Sequence, residues 1–190
     1  MNKVIKYFLY TLFIPIWWIQ RLIPRDKNIW VFGAWYGKKY SDNAKVLFEY
    51  VSNMDTNKEV IWITKNKNIV SQLKLENKRV YSSNSIKGVY YSLIAGKVIF
   101  SSGKLDVNRF FINGAVLINT WHGAPMKKIG LEDKFAKISS NKKWFFINIL
   151  PFAWEYNANY VVSTADVFNE KLSSAFNVPE GNVILSGYPR

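Results

Sequence analysis

The sequence predicts an α/β fold: a doubly wound, mostly parallel, Rossmann-like sheet preceded by an aromatic, amphipathic N-terminal helix. Three observations carry that expectation. Short, continuous apolar runs rich in Val and Ile recur along the chain, between segments with apolar residues at helical spacing, and turn residues separate the two. Uninterrupted apolar strands between helices require a sheet covered on both faces, which a parallel sheet with crossover helices provides.

The elements follow in order. Ile29–Gly33 reads as a buried strand, and Asn43–Val51 places Val46, Leu47, Tyr50 and Val51 on one helical face. Val60–Thr64 is a second strand and Ile69–Leu75 a helix. Arg79–Ser82 is a third strand and Ser85–Ala95 a helix. Lys97–Ser101 and Ala115–Thr120 are the fourth and fifth strands. Tyr160–Ser163 and Val183–Ser186 bracket a helix over Ala165–Phe176. Lys134–Asn157 is basic, aromatic and irregular, which marks it as an insertion and a second candidate for membrane contact. No internal repeat and no low-complexity tract interrupts this pattern.

Composition narrows the chemistry. The 190 residues contain no cysteine and one histidine, which excludes disulfides, thiolate metal sites, thiol nucleophiles and multi-histidine metal sites. No cluster of carboxylates suggests a dedicated metal site, and no cofactor is expected. A formal net charge of +13 with 17% aromatic residues suits an anionic surface with an apolar layer beneath it, as at a membrane. Single-stranded nucleic acid has the same appeal. No RNA-recognition, KH or helix-turn-helix signature is present, so nucleic acid is not an expected partner.

The apolar run Tyr7–Ile19 is too short to span a bilayer, which takes ~20 residues. Trp17, Trp18 and Gln20 stand where a signal-peptide cleavage site needs small residues, and Pro15 is expected to kink or end a helix. Residues 1–27 therefore read as an interfacial helical segment, with Trp17, Trp18 and Arg21 at headgroup depth. A helix packed on the protein's own core is the competing reading. The expected localisation is peripheral, on the cytoplasmic face of the cell membrane.

Ligands of such sheets bind beyond the carboxyl ends of the strands, which directs attention to four loops. Gly33–Asn43 carries Gly37, Tyr40 and Asn43 and opens onto a helix whose N-terminus suits an anion. It matches neither dinucleotide nor Walker spacing, and an ordinary turn capped by Ser41 or Asp42 explains it equally well. Ser101-Ser102-Gly103 allows close ligand approach, and Ser163-Thr164 lies at another strand end. Asn119–Gly130 holds His122 between a strand and Gly123, followed by Lys127 and Lys128. An imidazole there can take a proton from a hydroxyl while the lysines neutralise phosphate. A hydrogen-bonded turn histidine and a solvated basic turn are the plain alternatives.

Trp121-His122-Gly123-Ala124-Pro125, with Lys127-Lys128-Ile129-Gly130, resembles a stretch of the CDP-glycerol glycerophosphotransferases, the teichoic-acid primase and polymerase family. Phe32-Gly33 through Tyr40-Ser41-Asp42-Asn43 is similar to that family's first loop and helix. Ser186-Gly187-Tyr188-Pro189-Arg190 resembles the segment that closes its first domain. The resemblance implies the first Rossmann-like domain of a two-domain GT-B transferase over residues 28–190, with His122 as general base. It implies a CDP-glycerol or other CDP-polyol donor and a lipid-linked or polyol-phosphate polymer acceptor, in teichoic-acid or capsular polysaccharide synthesis. Gly37, Tyr40, Asn43, Gly123, Lys127, Lys128, Ser163 and Thr164 are the expected substrate-binding residues. The family's donor-binding C-terminal domain has no counterpart in this sequence, so the chain alone is expected to be inactive without that domain or a partner chain. A non-catalytic membrane-surface binding module that retains the fold is the alternative.

Overall fold

A computed structural model describes residues 3–54, 56–133, 148–153, 155 and 157–190. Seven strands form one sheet in the order β3-β2-β1-β4-β5-β6-β7. They are β1 (Asp26–Gly33), β2 (Glu59–Thr64), β3 (Val80–Ser82), β4 (Ala95–Phe100), β5 (Val116–Asn119), β6 (Tyr160–Ser163) and β7 (Val183–Leu185). Every pairing is parallel, with Val31 opposite Ile61 on one side and Val98 on the other. Winding reverses between β1 and β4, so the crevice where such folds bind ligands lies beyond Gly33 and Phe100.

Side chains alternate across the sheet, and the two faces receive different helices. Phe32, Trp62 and Ile99 pack under α2 (Asp42–Asn53) and α3 (Lys67–Leu75). Val31, Ile61, Ile63, Val98 and Phe100 face the other way, toward α1 (Lys3–Ile19) and α4 (Ile86–Ile94). A third cluster joins Trp121 to Val161 and to Leu172, Ala175 and Phe176 of α5 (Asn169–Phe176).

Helix α1 uses both of its apolar faces differently. Tyr10, Phe13, Ile14 and Trp17, at helical spacing, enter the core around Phe152. Phe8, Leu9, Leu12, Ile16 and Ile19 remain exposed on the other side. The expected tryptophan pair therefore divides: Trp17 is 3% exposed and cannot reach a headgroup layer, whereas Trp18 is 38% exposed, with Arg21 5.2 Å from its ring centroid. Helix α1 continues through Pro15 to Ile19 rather than ending there. Its C-terminal turn is tied to the domain, since Asn113 Nδ2 donates to the Trp17 carbonyl and Gln20 Nε2 to that of Phe110. Among the described residues, no helix is long and apolar enough to cross a membrane.

The basic, aromatic insertion lies mostly outside the described residues. Its described portion turns inward: Leu150 and Phe152 are buried, which removes both from membrane contact. The Phe152 ring centroid lies 5.4 Å from those of Tyr10 and Trp17 and 5.5 Å from that of Phe13. Phe152→Ala should cost about 3–5 kcal/mol, as large truncations in a close-packed core do, read as a lower urea midpoint. Loss of less than about 1 kcal/mol would show that α1 is not held by this contact.

One charge is sealed into the same face. Lys104 is 1% exposed and donates from Nζ to the Pro151 carbonyl. Burial pushes its pKa down from 10.5 to about 7; Arg109 adds to this shift and Glu155 opposes it. Between those values the unfolded chain holds a proton that the folded chain has released, so stability rises with pH across the window. At 1.36 kcal/mol per unit the rise is at most roughly 5 kcal/mol. Unfolding free energy should therefore be higher at pH 9.5 than at pH 7, and Lys104→Met should flatten that rise. An equally steep rise in the variant would assign it to other groups.

Candidate functional site

The crevice is assembled by the loops after β1, β4 and β5. Gly33 ends β1 so close to the β4 loop that a Cβ there would lie 2.4 Å from the Asp106 carbonyl oxygen. Trp35, Tyr36 and Gly37 then take left-handed conformations, with φ of 47°, 58° and 72°. Three donors hold this turn: Lys65 N and Thr64 Oγ1 bond the Gly37 carbonyl at 2.7 and 2.9 Å, and Lys65 Nζ bonds the Tyr36 carbonyl at 2.9 Å.

Asp106 links the turn to the β4 loop. Its carboxylate, fully buried, accepts from the backbone N–H of Tyr36 at 2.6 Å, Ser101 at 3.0 Å and Ser102 at 2.7 Å. Burial pushes its pKa up, and these backbone donors oppose the shift by favouring the anion.

Helix α2 brings a second set of contacts. Asp42, at φ 71°, accepts the Trp35 indole N–H on Oδ2 at 3.0 Å and pairs with Arg190 through Oδ1 at 3.3 Å. Asn43 is fully buried and donates from Nδ2 to the carbonyls of Thr120, at 3.3 Å, and Trp121, at 2.8 Å. The Ala44 N–H bonds Ser101 Oγ at 3.2 Å. The start of α2 is thereby fastened to the loops after β4 and β5 at once.

His122 sits where these strands of contact meet. Trp121 takes φ 51° and turns the chain immediately beyond β5. The His122 Nδ1 lies 3.0 Å from the Ser101 carbonyl. A carbonyl only accepts, so Nδ1 carries the proton and Nε2 keeps its lone pair in the neutral ring. The half-buried imidazole lies between two indoles, its centroid 5.2 Å from Trp35 and 3.9 Å from Trp121. The C-terminal segment secures the backbone, with Arg190 donating to the His122 carbonyl at 2.8 Å and Tyr188 to that of Gly123 at 2.7 Å.

The other expected site residues separate into groups. Asn43 and Gly123 join the His122 framework through the contacts above, whereas Gly37 belongs to the neighbouring turn held by Thr64 and Lys65. Lys127 and Lys128 are exposed and border a cavity of ≈300 Å³ shared with Glu132 and Lys171. Tyr40 spends its ring on Phe48 and Trp62 and its hydroxyl on Glu49 and Lys78, which makes it a packing residue rather than a ligand. Ser163 is fully buried and donates to the Ala165 carbonyl, while its own carbonyl accepts from Ser186 and Gly187. It supports the C-terminal segment and has no hydroxyl to offer a substrate; Thr164 is exposed beside it. Trp35, Asp42, Asp106 and Arg190 are the positioning residues that sequence reasoning missed. Trp35, Asp42 and Arg190 lay in recognised stretches that did not mark their positioning roles, and nothing in the sequence signalled Asp106. No group of three or more His, Cys, Asp or Glu residues that could hold a metal occurs among the described residues.

Fold and site together define a doubly wound α/β domain with a hydrogen-bonded imidazole beside its switch point. The chain belongs to the CDP-glycerol:poly(glycerophosphate) glycerophosphotransferase family, whose model matches residues 16–190. It is 26% identical over its whole length to a teichoic acid glycerol-phosphate transferase of Staphylococcus aureus, covering 46% of that protein. Over 89% of its length it is 27% identical to a teichoic acid poly(glycerol phosphate) polymerase of Bacillus spizizenii, covering 42% of it. The wall teichoic acid polymerase TagF superposes with a TM-score of 0.63 at 23% identity, over 98% of this chain and 48% of that one. The chain thus spans about half the length of these three relatives.

Asp106→Asn keeps the side chain's shape but turns one arm from acceptor to donor against a backbone N–H. It should cost about 2–3 kcal/mol, read by urea denaturation. An unchanged midpoint would show that the carboxylate does not hold the two loops.

Proposed function

We propose that this chain forms the acceptor-side half of a transferase that moves glycerol phosphate, or another polyol phosphate, from a CDP-activated donor to a hydroxyl of a lipid-linked or polymeric acceptor. The observation that carries this reading is the Nδ1 contact of His122 to the Ser101 carbonyl, which leaves Nε2 free to accept a proton. The attacking hydroxyl gives its proton to Nε2 as its oxygen bonds the donor's β-phosphorus. The bond from that phosphorus to the bridging oxygen breaks, and CMP leaves with the oxygen. Catalysis of this kind depends mainly on positioning and charge neutralisation. The two indoles and the Ser101 carbonyl position the base, Arg190 supplies positive charge beside it, and Lys127 and Lys128 add charge to the same loop.

Donor recognition is assigned to a second domain or a partner chain, because the chain spans about half of its relatives. Helix α1 supports a place at the cytoplasmic face of the membrane. It exposes Phe8, Leu12, Ile16 and Ile19, with Trp18 and Arg21 beside them, in a chain of net charge +13. A lipid-linked acceptor is reached from that position. A fold-retaining binding module without chemistry shares this surface but gives no reason for a histidine with a free Nε2.

The test is CMP release from CDP-glycerol with a lipid-linked acceptor, using the native polypeptide isolated from its own cells. His122→Ala should lower kcat by about 10²–10⁴, the usual contribution of a general base, with donor affinity unchanged. Equal turnover by the variant would reject His122 as base. A native polypeptide that binds vesicles but releases no CMP would favour the binding module. Separately, Leu12→Asp with Ile16→Asp should abolish sedimentation with anionic vesicles without lowering the thermal midpoint, and sedimentation that persists would reject α1 as the attachment surface.

A further inference from the structure

A cavity of ≈410 Å³ opens between the C-terminal turn of α1 and the segments leading into β5 and β6. It shares no lining residue with the His122 site, and its volume is within the ~300–1,000 Å³ typical of small-molecule sites. Trp17 and Arg21 line it from α1 and the turn that follows, and Lys104, Pro151 and Asn157 line it from the domain. No Asp or Glu lines it among the described residues.

Several of these groups are under-satisfied. Trp17 is 3% exposed, yet its indole N–H has no hydrogen-bond partner among the described residues. The Asn157 Oδ1 is likewise buried and unpartnered. Lys104 is wholly enclosed, its Nζ donates to the Pro151 carbonyl, and a bound anion would favour the charged form that burial disfavours. Native interiors rarely leave such groups unpaired, and those that remain call for an occupant. The unmet donors and cations suit an oxyanion, whereas the unmet acceptor requires a donor such as a hydroxyl.

We propose that this cavity binds a phosphate ester of a hydroxyl-bearing alcohol. Arg21, Lys104 and the Trp17 indole N–H take the phosphate oxygens, and Asn157 Oδ1 accepts from the hydroxyl. The ester can come from a soluble glycerol phosphate or from a phospholipid headgroup; exposed Trp18, Ile19 and Leu22 border Arg21 on the lipid side. The assignment does not rest on the transfer reaction.

The Trp17 indole N–H reports occupancy directly. Its resonance in ¹⁵N–¹H spectra is assigned by its disappearance in Trp17→Phe. Titration with sn-glycerol 3-phosphate, and separately with phosphatidylglycerol bicelles, should move it, with phosphatidylcholine bicelles as control. A shift with the free ester identifies a soluble ligand, and a shift with phosphatidylglycerol alone identifies the lipid headgroup. Arg21→Gln and Lys104→Met should each weaken the response about tenfold, as loss of a charge-assisted hydrogen bond does. His122→Asn should leave it intact, so the result is independent of the catalytic reading. A resonance unmoved by both ligands, moved equally by phosphatidylcholine, unaffected by Arg21→Gln, or silenced by His122→Asn would overturn the proposal.

Discussion

The buried carboxylate of Asp106 accepts three backbone N–H groups, from the turn after β1 and from the loop after β4. Those loops flank the sheet's switch point, so one side chain sets the width of the crevice. Parallel strands present their loops at a common edge but do not fix how far apart the loops stand. An apolar residue could fill the same volume, yet it would leave three donors unsatisfied in a place closed to water. The close approach of Gly33 to the Asp106 carbonyl imposes the same constraint from the backbone side. Ser101 completes the connection, because its N–H meets Asp106 while its carbonyl meets His122.

The imidazole is consequently held by groups from four parts of the chain. Ser101 fixes its tautomer, Trp35 and Trp121 confine its plane, and Arg190 anchors its backbone. Asp42 couples two of these, binding the Trp35 indole and the Arg190 guanidinium with its two oxygens. A positive φ at Trp35 and at Trp121 is unfavourable for such residues, and it persists where surrounding contacts over-determine the backbone. Strained conformations on both sides of one histidine fit a site whose geometry matters more than its local stability.

Most strands were legible because they contain a short continuous apolar run, and their parallel arrangement followed from the helices between them. Boundaries failed where no turn residue marks the change. Ala95 reads as the last residue of a helix, yet β4 begins there, α4 passing into the strand with no loop between. His122 was legible because it is unique and follows a strand. Trp35, Asp42 and Asp106 were not, since their importance lies in contacts across 7 to 70 residues of sequence that no local pattern encodes. Tyr40 and Ser163 show the converse: residues at strand ends look available in sequence, and only packing shows their polar groups already spent. The two tryptophans of α1 look equivalent in sequence, but helical phase sends Trp17 inward and leaves Trp18 partly exposed.

The central claim is that the fold holds His122 with its proton on Nδ1 and its lone pair on Nε2. Because the chain has one histidine, long-range ¹⁵N–¹H correlation of the ring nitrogens reads that side chain without assignment. At a pH where the ring is neutral, Nδ1 should be protonated and Nε2 unprotonated. A neutral ring protonated on Nε2 would contradict it, since the nitrogen proposed to accept the substrate's proton would already carry one.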